Sequence, residues 1–221
     1  MMKNLATRLD SWDEEIVAEV NRGVYVKRVP ITTSDNWLDV GAHIGAFAIQ
    51  AATLGAEVDA FEPDEENYSM AVMNIGNAHL THRIRIACGA IGGGLTGQRN
   101  FYINTKNNKG THSFYTQRGR EIRSVMCWNI NEILEVNLRI NKIKLDCEGS
   151  ELEILYALNF ERFKIEAIVG EFHSNVLRDS AHLKYWALMA HLKKYFKHVA
   201  YPEDPKKAWT TMFHASNLEE G

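Results

Sequence analysis

WLDVGAHIGAFAIQAATLGAEVDAFEP, residues Trp37 to Pro63, holds two short apolar runs separated by a glycine-marked turn and an apolar helical pattern. Asn36–Val40 reads as a strand, and a helix is expected from about His43 to Leu54 with Ile44, Phe47, Ala48 and Ala51 on one face. Gly55 stands where a helix C-terminal glycine belongs, and Val58–Phe61 supplies a second strand. Gly41 and Gly45 follow Asp39 at the end of the first run. Glycine is poor in strands and in helices, so two placed here mark backbone that turns sharply or approaches something closely.

Beyond this stretch, Pro63-Asp64-Glu65-Glu66 has the prolyl geometry and acidic first turn of a helix start, and Ile84–Ala90 is a third strand. Gly92 to Trp128 differs in being rich in Gly, Asn and Thr; its pieces RNFYIN and IRSVMCW suggest a small β excursion, an extra hairpin. KIKLD (Lys142–Asp146) is a strand, and Ser150 with Glu153 has the S-x-x-E spacing of a capping box before an apolar helix. EAIVGEF (Glu166–Phe172) is another strand. A helix bearing Leu183, Trp186, Ala187 and Ala190 follows, and Phe196–Ala200 and Trp209–Phe213 close the chain. Strands alternating with helices imply an α/β fold, a mostly parallel sheet covered on both faces. Residues 1–35 are expected to form an N-terminal helix and short strand packed on the main domain, 36–221, because no linker or repeat divides the chain.

The chain is 45% hydrophobic and 24% charged, a globular balance with material for one large core. A net charge of −3 gives no electrostatic footprint for nucleic acid, and the D/N-P-P-[FY]/W motif of nucleic-acid methylation is missing. Three cysteines without a CxxC argue against a disulfide framework or zinc knuckle and fit a reducing cytoplasm. The N-terminus lacks an apolar signal core, and the longest uncharged run, Val40–Ala56, falls short of the ~20 apolar residues of a membrane span. Neither nucleic acid nor membrane is expected as a partner; the oligomeric state cannot be read.

Ligands of open α/β sheets bind beyond the carboxyl ends of strands. The spacing Asp39-x-Gly41-x-x-x-Gly45 is neither the dinucleotide fingerprint nor the phosphate loop. A pyrophosphate would be repelled by Asp39, whereas an ammonium or sulfonium group would be welcome. Glu62, ending the second strand, stands where an acid accepts hydrogen bonds from both ribose hydroxyls. Together these features describe S-adenosylmethionine. The competing reading is a structural turn capped by Asp39, with Glu62 solvated.

DVGAHIGAFAIQAA, AFEPDEENYSMAVMNI, KLDCEGSELEIL and IVGEFH resemble, in order and spacing, the FkbM-like branch of class I S-adenosylmethionine-dependent methyltransferases, over roughly Trp37 to His173. The resemblance implies a three-layer Rossmann-like sandwich, its seven-stranded sheet mostly parallel with an antiparallel last strand, and methyl transfer to a hydroxyl oxygen. It implies that Asp39, Gly41, Ala42 and Gly45 line the methionine end of the cofactor, with His43 where such proteins often carry Asn. Glu62, with Pro63 beside it, would hold the ribose; Asn67 would lie near by and Ala90 would approach the adenine.

An acceptor alcohol must be oriented and deprotonated. Asp146 and Glu148 close one strand, and Glu171 and His173 end the next, so adjacent parallel strands would bring all four to one rim. Alternation sends Glu171 and His173 to the same side, and an ordinary imidazole titrates near neutrality, suiting His173 as base. Asp146 and Glu148 could position the acceptor hydroxyl or bind the cofactor's amine side, or simply stabilise the following helix N-terminus. The same DxE and ExH resemble oxygen-rich ligands for Mg or Mn, although no sequence signature demands a metal. His112 in GTHSFY reads as a solvated loop residue that could overhang the site.

The expected function is thus O-methylation of a small molecule or glycan carrying a free hydroxyl. The alternatives are a NAD-dependent oxidoreductase, disfavoured by the missing G-x-G-x-x-G, and a non-catalytic nucleoside-cofactor-binding module. Acceptor contacts should come from Gly92–Trp128 and the N-terminal segment.

Overall fold

Along Asn36–Val40 the side chains alternate between two apolar layers, Trp37 in one and Leu38 and Val40 in the other. Both layers are dry, as a central parallel strand requires. The computed structural model describes residues 5–9, 11–104, 112–115, 121–173, 181–200 and 210–218. Its elements in chain order begin with α1 (Asp13–Asn21), β1 (Asn36–Val40), α2 (Ala46–Thr53), β2 (Glu57–Glu62), α3 (Glu65–Asn77) and β3 (Ile84–Cys88). Then come β4 (Ala90–Gly92), β5 (Gly97–Ile103), β6 (Glu121–Asn129), α4 (Ile130–Val136), β7 (Lys142–Leu145) and α5 (Glu151–Ala157). β8 (Ala167–His173), α6 (Ala181–Leu192), β9 (His198–Ala200) and β10 (Thr210–Ser216) complete them.

The main sheet has seven strands in the order β3-β2-β1-β7-β8-β10-β9. β3, β2, β1, β7 and β8 are mutually parallel, and β10 enters antiparallel between β8 and β9. The expected α/β architecture, with its antiparallel last strand, is therefore present. α2 contributes Phe47 and Ala51 to one layer, while α5 contributes Ile154 and Leu155 and α6 contributes Tyr185 and Leu188 to the other.

The structure redraws several local expectations. The third strand breaks at Gly89: β3 stays in the main sheet, while β4 joins β6 in parallel, and β6 pairs antiparallel with β5, giving a three-stranded second sheet rather than a lone hairpin. A Cβ on Gly89 would overlap the Trp128 ring, so the glycine permits this branching. The helix after β1 begins at Ala46, not His43, because Gly41, His43 and Gly45 all take left-handed backbone, with φ of 81°, 52° and 85°. The Ser150–Glu153 capping box does not form: Ser150 makes no side-chain cap bond, and Glu153 instead meets Arg99 of β5 at 2.6 Å. Among the described residues no strand precedes β1; α1 lies against α2. The closing strands are shifted, with β9 starting at His198 and β10 running to Ser216; Trp209 lies outside the described residues.

Candidate active site

At the carboxyl ends of β1 and β2 the chain is folded tightly on itself. The amides of Gly41 and Ala42 both donate to the Phe61 carbonyl at 3.0 Å, pinning the glycine turn to β2. A Cβ on Gly41 would overlap the carbonyl of Asp146, so this glycine answers the close approach of β7's end as well as its positive φ. Glu62 is buried, yet its carboxylate is held from both sides: Oε2 accepts from the His43 amide at 2.8 Å and Oε1 from the Asp64 amide at 3.0 Å. Burial pushes the Glu62 carboxyl up to about 7, against the pull of these amides. Asp64 then caps α3, accepting from the amides of Glu66 and Asn67.

A cleft open to solvent, with about 800 Å³ of empty space counted out to its mouth, lies here. Gly41, Ala42, His43, Glu62, Pro63, Asn67 and Ala90 line it, whereas Asp39 and Gly45 stand behind the wall. Asp39 is wholly buried, with Lys144 Nζ 3.1 Å from Oδ1. Ile16, Val20 and Tyr25 close one side, and Phe101, His112 and Phe114 the other. His112 is buried, not a solvated loop residue; its Nε2 lies 3.7 Å from Asp64 Oδ2. The N-terminal segment is anchored over the cavity by Arg8, which donates to both oxygens of buried Asp13 and, at 2.8 Å, to Asn67 Oδ1. His43 Nε2 is 3.6 Å from Asp13, and burial holds that imidazole down to about 4, leaving it neutral.

Past the cavity lies the carboxylate-rich rim. Asp146, Glu171 and His173 each bring one ligand-type atom within 4.8 Å of the others, and Asp146 and Glu148 also line the cavity. His173 Nε2 lies 3.5 Å from Glu148 Oε1 and 3.7 Å from Asp146 Oδ1, and its Nδ1 donates to Glu151 Oε1 at 2.8 Å. Burial opposes charging of this imidazole, but Glu148, Glu151 and Asp146 prevail and hold its pKa well above the ordinary value. Burial raises Glu148 to about 8. Asp146 is likewise buried, but Lys144 and His173 overcome that and keep its carboxyl low. The turn carrying Glu148 is left-handed, φ 52°, and is tied to the second sheet by Ser113 Oγ, which donates to the Glu148 carbonyl at 2.7 Å.

Residues 39–201 match the methyltransferase FkbM domain. The chain belongs to the FkbM methyltransferase family. Hexuronic acid methyltransferase AglP of Haloferax volcanii is 29% identical over 139 residues, 62% of this chain and 56% of that protein, so the match spans little more than half of the relative's length. Two solved structures share the fold. Precorrin-6y C5,15-methyltransferase from Geobacter metallireducens has a TM-score of 0.52 at 12% identity, covering 99% of this chain and 92% of its own. The TYW2 protein of M. jannaschii, in complex with AdoMet, has a TM-score of 0.52 at 14% identity, covering 92% and 76%.

Three side chains of this FkbM-family site escaped the sequence reading. Lys144 was visible as a charge in the middle of a buried strand, an anomaly that asks for a buried partner. Glu151 does what Ser150 and Glu153 were expected to do: its Oε1 accepts from the amides of Gly149 at 3.1 Å and Cys147 at 3.3 Å. Tyr25 left no signal, because its hydroxyl reaches Asp146 Oδ2, at 2.8 Å, across 121 residues of sequence. No described helix is long and apolar enough to cross a membrane.

Proposed function

We propose that this chain transfers a methyl group from S-adenosylmethionine to a hydroxyl oxygen of a carbohydrate or other small molecule. The observation that carries the reading is Glu62, a buried carboxylate at the end of β2 that faces the cavity and is oriented by the His43 and Asp64 amides. A carboxylate so held keeps acceptor capacity for both ribose hydroxyls. The left-handed turn from Gly41 to Gly45 shapes the methionine end, and Asn67 and Ala90 flank the nucleoside end. The relative named for hexuronic acid supports a sugar acceptor. Unpaired Cys88, Cys127 and Cys147 suit a reducing cytoplasm.

Methyl transfer is an in-line displacement: the acceptor oxygen attacks the methyl carbon, and the sulfur leaves with the C–S electron pair. The acceptor proton needs a base. His173, charged before the reaction begins, is unsuited to that task and serves with Asp146 to orient the acceptor. Glu148, on the cavity wall with its carboxyl near 8, takes the proton through its ionised fraction, which grows as pH rises from 7 toward 8.

The test is calorimetric titration with S-adenosylhomocysteine, with NAD as control, on wild type and Glu62→Ala, followed by transfer of labelled methyl to hexuronic acid glycosides. Micromolar binding of the homocysteine product, lost in Glu62→Ala, together with labelled glycoside, is the expected outcome. NAD binding in its place, or no binding by folded wild type, overturns the reading.

A further inference from the structure

We propose that Asp146, Glu171 and His173 form a binding site for a divalent first-row cation, Mn²⁺ fitting best, at the rim of the cavity. The ligand atoms of these three residues already lie within 4.8 Å of one another, with two carboxylates and one imidazole converging from the adjacent strand ends of β7 and β8.

The spacing is that of ligands around a common ion. Nε2 of His173 lies 3.7 Å from Asp146 Oδ1 and 3.5 Å from Glu148 Oε1, so a bound cation would displace the proton that these carboxylates hold on the ring. Ligands about 2.1 Å from one ion stand about 3.0 Å apart at right angles and about 3.5 Å apart at tetrahedral angles.

A second, independent observation is the orientation of the ring. The His173 side chain is only 3% exposed, and Nδ1 is bound by Glu151 at 2.8 Å. That bond fixes the ring and turns Nε2 toward the carboxylates, the outer carboxylate–histidine arrangement that metal-binding imidazoles use. Tyr25 does the same for Asp146: it occupies Oδ2 at 2.8 Å and leaves Oδ1 facing Nε2. Two ligands, each with its other atom tied back by a buried partner, are preorganised for something between them.

Mixed imidazole and carboxylate donors favour a first-row ion over calcium, and two oxygens to one nitrogen favour Mn²⁺ among them. Three protein ligands leave coordination positions open, and Asp146 brings the site to the cavity wall. Resting on the methyltransferase reading above, the open positions would take the acceptor's hydroxyl oxygen, lowering its pKa before attack.

The test is depletion of the free Mn²⁺ electron paramagnetic resonance signal by the full chain, with S-adenosylhomocysteine titrated separately into the same samples. Wild type should take up one Mn²⁺ per chain, Glu171→Gln and Asp146→Asn should each weaken uptake at least tenfold while melting cooperatively, and Glu171→Gln should also retain the homocysteine product. Wild type that melts cooperatively but leaves millimolar Mn²⁺ free overturns the site. Uptake undiminished in both variants also overturns it, since the ion then sits elsewhere. Mn²⁺ uptake that is lost in the variants, without any binding of the homocysteine product by wild type, supports the metal site and overturns the methyltransferase reading instead.

Discussion

Lys144 Nζ lies 3.1 Å from Asp39 Oδ1 and donates to the Gly41 carbonyl at 2.6 Å, so one buried cation joins the end of β1 to β7 beneath the glycine turn. Asp39 has no exposure, and burial raises its carboxyl despite Lys144. Lys144→Met should therefore strand a buried carboxylate and lower stability by about 3–5 kcal/mol. Adding Asp39→Asn should return most of that loss, because it removes the unpaired charge. Urea unfolding of the two single variants and the double closes the cycle.

Two glycines should respond in opposite directions. Gly41 has φ 81° and faces the Asp146 carbonyl, so Gly41→Ala combines left-handed strain of about 1–2 kcal/mol with a displacement of β7's end. Gly76, on the exposed side of α3, has nothing near its absent side chain. Gly76→Ala should raise stability by about 0.5–1 kcal/mol. Thermal melts of both variants report the sign directly.

His43 and Glu62 touch through the His43 amide, yet their titrations pull stability in opposite directions. Burial holds His43 at about 4 instead of 6.5, with Asp13 opposing and Arg8 reinforcing the effect. As pH falls through that interval, the unfolded chain takes up a proton the folded one refuses, and stability is lost. Burial raises Glu62 from 4.5 to about 7. As pH falls through that interval the folded chain takes up the proton first, and stability is gained. Each effect is worth up to about 3 kcal/mol, so wild type should show little net slope from this pair. Glu62→Gln should be the more stable protein at pH 8 and lose that advantage by pH 4.5; His43→Asn should gain on wild type below pH 6.5. Urea midpoints at several pH values distinguish them.

Above pH 7 Glu62 is increasingly ionised and a stronger acceptor. S-adenosylhomocysteine affinity should accordingly rise several-fold between pH 6 and pH 8 in wild type and stay flat in Glu62→Gln. Calorimetry across that range is the measurement.

Arg8 reaches both Asp13 and Asn67, the latter on the cavity wall. Arg8→Ala should expose residues 11–22 to faster amide exchange and weaken S-adenosylhomocysteine about tenfold, with far less effect on exchange in β1 and β7. Exchange mass spectrometry separates this local opening from global unfolding.

The central fold was legible because Trp37–Glu62 switches from a period of 2 to an apolar helix and back, and the same physics repeats downstream. The rim was legible too, since two strands that end in acids or His must bring them together if they are adjacent and parallel. What escaped depended on distant partners. Glu153 has the spacing of a capping residue, but Arg99, 54 positions away, takes it, and Glu151 assumes the task from inside the helix. Nothing local marks Ala90–Gly92 as leaving the main sheet, because its partner is β6 and only Gly89 opens the way.

The cavity owes one wall to the main sheet and another to the three-stranded insertion, which supplies Phe101 and, just beyond β5, His112 and Phe114. These two walls are encoded by separate stretches and folded on separate ladders, and they meet at Arg99–Glu153, Ser113–Glu148, His112–Asp64 and Arg123–Asp64. Change at Phe101 in β5 can therefore remodel the roof while Glu62 keeps its bonds to the His43 and Asp64 amides. On the methyltransferase reading proposed above, acceptor choice changes by editing this one appendage, while the donor half of the reaction is left as it was.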